Sequence, residues 1–487
     1  VTERSGVAVA LERVWADELP ELSVPVRAVA PPSPELVVLN EGVAASLGLD
    51  AAWLSSPDGV QLLTGAAAEG AVSQVYAGHQ WGRYRPILGD GRAALLGELR
   101  DADGRLRDLH LKGIGPTPMS RVDGFATLGP MLREFLLGEA MHALGVPTTR
   151  ALSVVSTGAT RVRDGRGSPG AVLARTASSH VRIGTFEYAA RHDDPGLLRR
   201  VADHVIGRHH PGAASAPQPY RALLAAIVDA TAATTAHWMR LGFVHGVLST
   251  DNVLVSAETI DYGPCAFLDA YDPDTVYSSL DTSGRYAYAR QPEIMAWNLE
   301  RLGEALAPLL DDQPARGAAA AREIVGAFDE RHRAHRTAFF RDKLGLDVRV
   351  ATADVDELTT DAHLLLHDHG VDVTGFWRDL AAAADGDERP VRARFLGAVG
   401  GLDDWLGRWR RLAPVAERLR AANPVYIPRN HLVDEALDAA VAGDLDPFRV
   451  LLSLVRAPYT VRSEPTYRRY AAPAPADHPP HRTFCGT

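Results

Sequence analysis

An α+β fold in two lobes, the first β-rich and the second helical, is what this sequence predicts, with helical extensions at both ends. Three observations carry it. Between residues 73 and 112, short apolar runs alternate with glycine turns, the pattern of β-hairpins. Beyond residue 220 the chain reads as long Ala- and Leu-rich helices. Hydrophobic residues make up 46% and charged residues 23%, a globular balance that can bury a sizeable core. At 487 residues the chain is long for one ordinary domain. The pattern divides it into an N-terminal extension (1–72), a β-rich lobe (73–180), a helical lobe (181–320), a C-terminal helical region (321–465) and a flexible tail (466–487).

Taken in order, residues 1–70 read as short helices and loops with a proline-rich break at 31–34. Leu88-Gly-Asp-Gly-Arg92 is a glycine turn, residues 93–99 a short strand, 101–104 a turn and 106–112 a second strand. The two-residue period of a strand puts Leu109 and Leu111 on one face and His110 and Lys112 on the other. A helix follows over 130–144, its apolar face marked by Leu132, Phe135 and Leu136 and its end by Gly145 and Pro147; Glu134 lies in its second turn. A longer helix covers 220–241 and stops at Gly242. From 297 to 455 the pattern is helical, broken at 311–314 and 385–389. The Pro- and Ala-rich stretch 470–487 reads as flexible.

The charge balance narrows the partners. With 51 basic and 61 acidic residues, the net charge of −10 argues against coating nucleic acid or an anionic membrane, so any anion site must be a local basic patch. No apolar run reaches membrane-spanning length, the first residues do not read as a signal peptide, and two cysteines, Cys265 and Cys485, are too few for a disulfide framework. The expectation is a cytoplasmic protein.

The chemistry-bearing residues come in a telling order. Gly89 and Gly91 allow a close backbone approach. Gly89-x-Gly91-x-x-Ala94 is not a dinucleotide fingerprint, because a strand follows it instead of a helix, and no Gly-Lys-Ser/Thr run marks a P-loop. Lys112, at a strand end, precedes Glu134 on the next helix by 22 residues, the arrangement of an ion pair that aims an ammonium at phosphate. His245-Gly-Val-Leu-Ser-Thr-Asp251-Asn252 is followed nine residues later by Asp261-Tyr-Gly263. An Asn amide oxygen and an Asp carboxylate are hard ligands suited to Mg²⁺ or Mn²⁺. This order predicts a protein-kinase-like bilobal fold binding ATP and a divalent metal around Lys112, Asn252 and Asp261. Two features do not fit phosphate transfer. Kinases carry an aspartate five residues before the metal-binding asparagine, and here that residue is Val247. Asp90, inside the glycine turn, would repel a triphosphate in the usual place. The adjacent Asp251 is a candidate base or metal ligand in place of the missing carboxylate. His363-Leu-Leu-Leu-His367 has helical metal-pair spacing but lacks a metalloprotease glutamate, and His204, His209 and His210 read as surface residues.

Taken together, Tyr76-Ala-Gly-His-Gln80, Leu88-Gly-Asp-Gly-Arg-Ala93, Leu111-Lys-Gly-Ile-Gly-Pro-Thr-Pro118, Arg133-Glu-Phe135, Glu139-Ala-Met141, Pro147-Thr-Thr-Arg150, Gly184-Thr-Phe-Glu187, Thr250-Asp-Asn252, Thr259-Ile-Asp-Tyr-Gly-Pro264, Gln291-Pro292, Trp297-Asn-Leu299, Asn423-Pro424 and Arg429-Asn430 carry a resemblance. From about residue 25 onward the sequence resembles the selenoprotein O (YdiU) family, pseudokinase-fold protein adenylyltransferases. The resemblance implies ATP bound in reverse, so that AMP passes to Ser, Thr or Tyr hydroxyls of target proteins, with UTP as an alternative donor. That would account for Val247 and Asp90 together. It further implies Gly89, Gly91, Arg92, Lys112, Asp123, Gly124, Arg175, Arg182 and Asp261 as nucleotide-contacting residues, Asp251 as proton acceptor, and Asn252 and Asp261 as metal ligands. An atypical kinase using Asp251 and a silent nucleotide-binding scaffold are the competing readings. Leu248-Ser249 and Met119 depart from the family pattern, as does 125–129, which bears on substrate preference. At Cys485 the resemblance implies a redox-sensitive residue. Cys265 is the one other cysteine, although Tyr277 lies nearer the expected position of a partner in the activation segment.

Overall fold

The computed structural model describes residues 9–163, 165–397 and 399–483. Ten strands lie in the first 177 residues: β1 (Ser23–Pro25), β2 (Glu35–Leu39), β3 (Val72–Gln74), β4 (Gly78–Gln80), β5 (Arg83–Arg85), β6 (Ala93–Arg100), β7 (Leu106–Lys112), β8 (Ala126–Thr127), β9 (Arg150–Arg163) and β10 (Arg166–Ala177). The main sheet runs β1-β3-β6-β7-β10-β9-β2, with β8 paired to β10 and every pairing antiparallel. β4 and β5 form a separate hairpin. The predicted 93–99 and 106–112 strands are β6 and β7. Leu109 and Leu111 pack with Leu96, Leu152 and Val172 in an outer apolar cluster, and Lys112 emerges on the opposite face.

Against that opposite face lies the helix Leu128–Ala143, with Leu132, Phe135 and Leu136 fully buried in the largest cluster. It starts two residues before the predicted 130 because Thr127 holds the extended N-cap conformation, which leaves Pro130 in the first turn, where its missing N–H is tolerated. Beyond it, the helix Pro219–Leu241 ends on left-handed Gly242, as the sequence suggests. Two short strands, β11 (Phe243–Val244) and β12 (Ala266–Phe267), then pair and clamp the ends of the loop 245–265. The fold is α+β, with the sheet on one side of that loop and helices on the other.

The C-terminal helices are anchored to the loop's base. Asn430 donates to the Phe267 carbonyl at 2.8 Å and accepts from the Phe267 N–H at 3.3 Å, closing the free edge of β12. Arg429, with no exposed side-chain surface, donates to both oxygens of Asp372 (2.5 and 3.0 Å) and to Asp269 Oδ1 (2.7 Å). Removing one partner of such a pair leaves buried charge uncompensated. Arg429→Ala is therefore expected to cost about 3–5 kcal/mol of stability, read from the denaturation midpoint. An unshifted midpoint would show the cluster to be structurally idle.

Several expectations change. Residues 1–70 hold β1 and β2 as well as helices, and both join the main sheet. Strands of three and five residues show no readable alternation; their pairing comes from β3 and β9, far along the chain. The tail is docked as far as Thr483, whose N–H donates to Tyr277 O at 2.8 Å, whose carbonyl accepts from Ser279 N at 3.0 Å, and whose hydroxyl donates to Pro264 O at 2.9 Å. Backbone pairing needs no hydrophobic signal, so composition alone misread it. Cys485 lies outside the described residues. Cys265 is fully buried, its thiol pushed up to about 12 by burial. His204 is buried on Glu18 (2.6 Å), and His209 bonds Ser179 Oγ at 2.7 Å, so neither is a free surface histidine. His363 stacks on Tyr271 among aromatic rings, and burial brings it down to about 3, while His367 is exposed. Among the described residues, no helix is long and apolar enough to cross a membrane.

Candidate active site

Between the sheet and the loop 245–265 lies a cleft of about 420 Å³. β7 supplies Lys112, β10 supplies Arg175, and Arg182 stands at the N-cap of the helix Ile183–Ala189. The loop supplies Val247, Asp251, Asn252 and Asp261, and the glycine turn supplies Gly89, Gly91 and Arg92.

The spacing of Lys112 and Glu134 reads true in space. Lys112 Nζ donates to Glu134 Oε2 at 2.6 Å and to Asp261 Oδ1 at 2.6 Å. Arg175 Nη1 donates to the other Glu134 oxygen at 2.7 Å and to Asp261 Oδ1 at 3.1 Å. Arg182 Nη1 reaches Asp261 Oδ2 at 3.3 Å and the Asp251 carbonyl at 2.6 Å. Burial alone would raise the Asp261 carboxyl. Lys112, then Arg175 and Arg182, outweigh burial and hold it well below the usual carboxylate range. Glu134 is lowered in the same way against burial, by Lys112 and Arg175. Asp261 also sits at φ +63°, a left-handed conformation uncommon for a residue with a side chain. The backbone is thus held in a costly state where the charges converge.

Asp90 is a structural hub, not a loose charge in the turn. It is 3% exposed and accepts from Gln74 N (3.2 Å), Tyr76 Oη (3.4 Å) and His110 Nε2 (3.0 Å), with Arg182 Nη2 at 3.7 Å. Burial opposes its ionisation; His110 beside it and Arg182 prevail and keep it lowered. His110 Nδ1 accepts from Arg175 Nε at 3.4 Å, which fixes the Nε2–H tautomer of a neutral ring whose own protonation is lowered by burial. Asp90 is therefore an ionised carboxylate held in place by hydrogen bonds, with Arg182 as the cation beside it. The glycines serve packing as well as approach. Gly89 has φ +129°, and a Cβ there would meet Met119 Cγ at 2.7 Å and Gln74 O at 2.8 Å.

Asp251 is held by two donors, Gln80 Nε2 on Oδ2 (2.8 Å) and Ser249 Oγ on Oδ1 (2.6 Å). The turn carrying it is pinned by Thr250, whose hydroxyl donates to Glu187 and accepts from His79 N at 2.7 Å. Asn252 Nδ2 donates to Val247 O at 3.1 Å, so its amide oxygen takes no part in that bond. Asp123 and Gly124 lie outside the cleft lining. Asp123 is exposed and paired with Arg163 at 2.7 Å. Tyr76, Gln80 and His110 had no assigned role from sequence, although the Tyr76–Gln80 and Gly184–Glu187 stretches carried the resemblance. In the structure Gln80 bonds Asp251 and Glu187 bonds its neighbour Thr250, while Tyr76 and His110 bond Asp90.

Carboxylates facing a ring of cations inside one cleft are what an enzyme that handles a nucleotide needs. Known proteins point the same way. The family model described as protein adenylyltransferase SelO matches residues 7–456. Proteins named protein nucleotidyltransferase YdiU are similar along their whole length. The one from Mycolicibacterium paratuberculosis is 54% identical over 98% of both chains, and the one from Pseudarthrobacter chlorophenolicus 52% identical over 100% of both. A third, from Cereibacter sphaeroides, is 49% identical over 97% of this chain and 98% of its own. The chain belongs to the SelO family of protein adenylyltransferases.

Proposed function

We propose that this protein transfers AMP from ATP to Ser, Thr or Tyr hydroxyls of target proteins, with UTP as an alternative donor. The cleft is read as lying between kinase-like lobes, residues 73–180 and 181–320. The observation that carries the reading is that Asp251 is the carboxylate available as base at the cleft's 247–252 wall, where Val247 offers none. The acceptor oxygen attacks the α-phosphorus, the bond to the β-phosphate oxygen breaks, and pyrophosphate leaves with the bonding pair. The acceptor's proton passes to Asp251. Lys112, Arg175, Arg182 and Arg92 orient the phosphates and stabilise the charge developing on the leaving group.

Asn252 and Asp261 are the residues that would hold Mg²⁺ or Mn²⁺. Their hard oxygen donors fit such an ion. Among the described residues no group of three or more His, Cys, Asp or Glu side chains is placed to hold a metal ion by itself. When bound, such an ion polarises phosphoryl oxygens. Gly89 and Gly91 line the phosphate end, and Asp123 and Gly124 would reach the nucleotide only by movement of their segment.

Incubation with ATP labelled at the α or the γ position tests the reading. Protein-bound α label is expected. Bound γ label would replace it with a kinase, and no bound label in either arm would leave a nucleotide-binding scaffold.

A further inference from the structure

The β4–β5 hairpin overhangs the cleft at Asp251. Its turn, Trp81-Gly82, has φ +55° and +74°, the two-residue left-handed turn that suits strand twist. It is pinned on one side by Trp81 against Tyr286 (4.8 Å between rings), and on the other by Tyr84, which lies against His79 and beneath the Arg191 guanidinium. The register pairs Gly78 with Arg85, His79 with Tyr84 and Gln80 with Arg83. Directly opposed residues share a face. His79 and Tyr84 therefore occupy one face, and Gly78, Gln80, Arg83 and Arg85 the other. That second face is turned to Asp251: Gln80 donates to its carboxylate, and a Cβ at Gly78 would lie 2.9 Å from the Asp251 Cβ.

Arg83 and Arg85 are both exposed, and among the described residues neither side chain has a hydrogen-bond or ion-pair partner. Arg121 reaches in from the facing segment to Gln80 Oε1 at 3.3 Å. A chain of net charge −10 thus presents unpaired cations beside its candidate base. They are not needed for the nucleotide. Neither Arg83 nor Arg85 lines the cleft, which already holds Arg92, Lys112, Arg175 and Arg182.

We infer that the β4–β5 hairpin is a docking surface for an acidic stretch of the protein acceptor, with Arg83 and Arg85 pairing with carboxylates that flank the hydroxyl presented to Asp251. The inference rests on the AMP-transfer reading and extends it to acceptor specificity. Exposed charge pairs of this kind set partner choice more than tight affinity.

The test uses the full chain, α-labelled ATP and synthetic peptides carrying one serine among glutamates, among glutamines or among lysines. The native protein is expected to favour the glutamate peptide. Arg83→Glu/Arg85→Glu should lower kcat/KM for that peptide by roughly tenfold and raise it for the lysine peptide, as charge reversal demands. Arg83→Gln/Arg85→Gln should fall between, and ATP affinity, measured by titration, should not move. Equal use of all three peptides by the native protein would overturn the inference, as would an equal loss on all three in the variants. A parallel loss of ATP affinity would assign the two arginines to the nucleotide instead. A native protein that labels no protein or peptide at all would sink the AMP-transfer reading itself, whereas label transferred regardless of flanking charge sinks only the docking surface.

Discussion

Asp261→Ala is expected to reduce transfer of α label from ATP by about a thousandfold or more, since it removes the proposed metal ligand and the carboxylate on which the cleft's cations converge. The geometry makes this residue hard to replace. Lys112, Arg175 and Arg182 all donate to it, so its loss leaves Lys112 and Arg175 with Glu134 as their one carboxylate and unbalances the charge of the cluster, which shifts the cations relative to the phosphates. Asp261→Asn is the companion variant. It keeps the shape and an oxygen but not the charge, and it too should lose most activity. The carboxyl is held well below its usual range by Lys112, Arg175 and Arg182 against the opposing effect of burial. Its contribution to stability is therefore complete above the unfolded carboxylate range and is lost only as pH falls through the lowered folded value. Activity should not decline in mildly acidic buffer on account of Asp261. Substantial α-label transfer by Asp261→Ala, in protein whose thermal unfolding remains cooperative, would sink the metal assignment.

What the sequence made legible, and what it hid, follows from the range of each interaction. The hairpin of β6 and β7 could be read because glycine turns and alternation are local. The Lys112–Glu134 pair could be read because a strand end and the next helix leave few ways to bring two side chains together. β1 and β2 could not be read, because their partners, β3 and β9, lie far along the chain and the strands themselves are too short to show a period. The surroundings of Asp90 were hidden for the same reason. Its charge looks exposed in a glycine turn, but it is buried, and the groups that hold it come from β3, β7 and Arg182. Arg429 and Asn430 carried the resemblance, yet they act as an anchor: Asn430 ties the C-terminal helices to β12, the strand that closes the base of the loop 245–265, and Arg429 ties them to Asp269 just beyond it. The docked tail shows the same limit, since two backbone bonds to the 277–279 segment leave no trace in composition.

Asp251→Asn should separate chemistry from binding. An isosteric amide keeps the volume, and both neighbours can adapt. The Gln80 amide can present its oxygen to the new NH₂, and the Ser249 hydroxyl can rotate, so the turn pinned by Thr250, Glu187 and His79 should stay folded. The amide cannot take a proton, and general-base catalysis is worth about 10²–10⁴ in rate. A fall in kcat of that order is expected, with ATP affinity nearly unchanged because Arg182 bonds the backbone carbonyl of residue 251 and not its side chain. The pattern of loss discriminates between roles. If Asp251 mainly ligated metal, ATP affinity and metal dependence would shift together with kcat. If it mainly propped Gln80 and the hairpin, KM for the protein acceptor would rise while kcat at saturation survived. Only the proton-acceptor role predicts that kcat falls alone, and an Asp251→Asn enzyme with native kcat would return the search for the base to another group of the cleft wall.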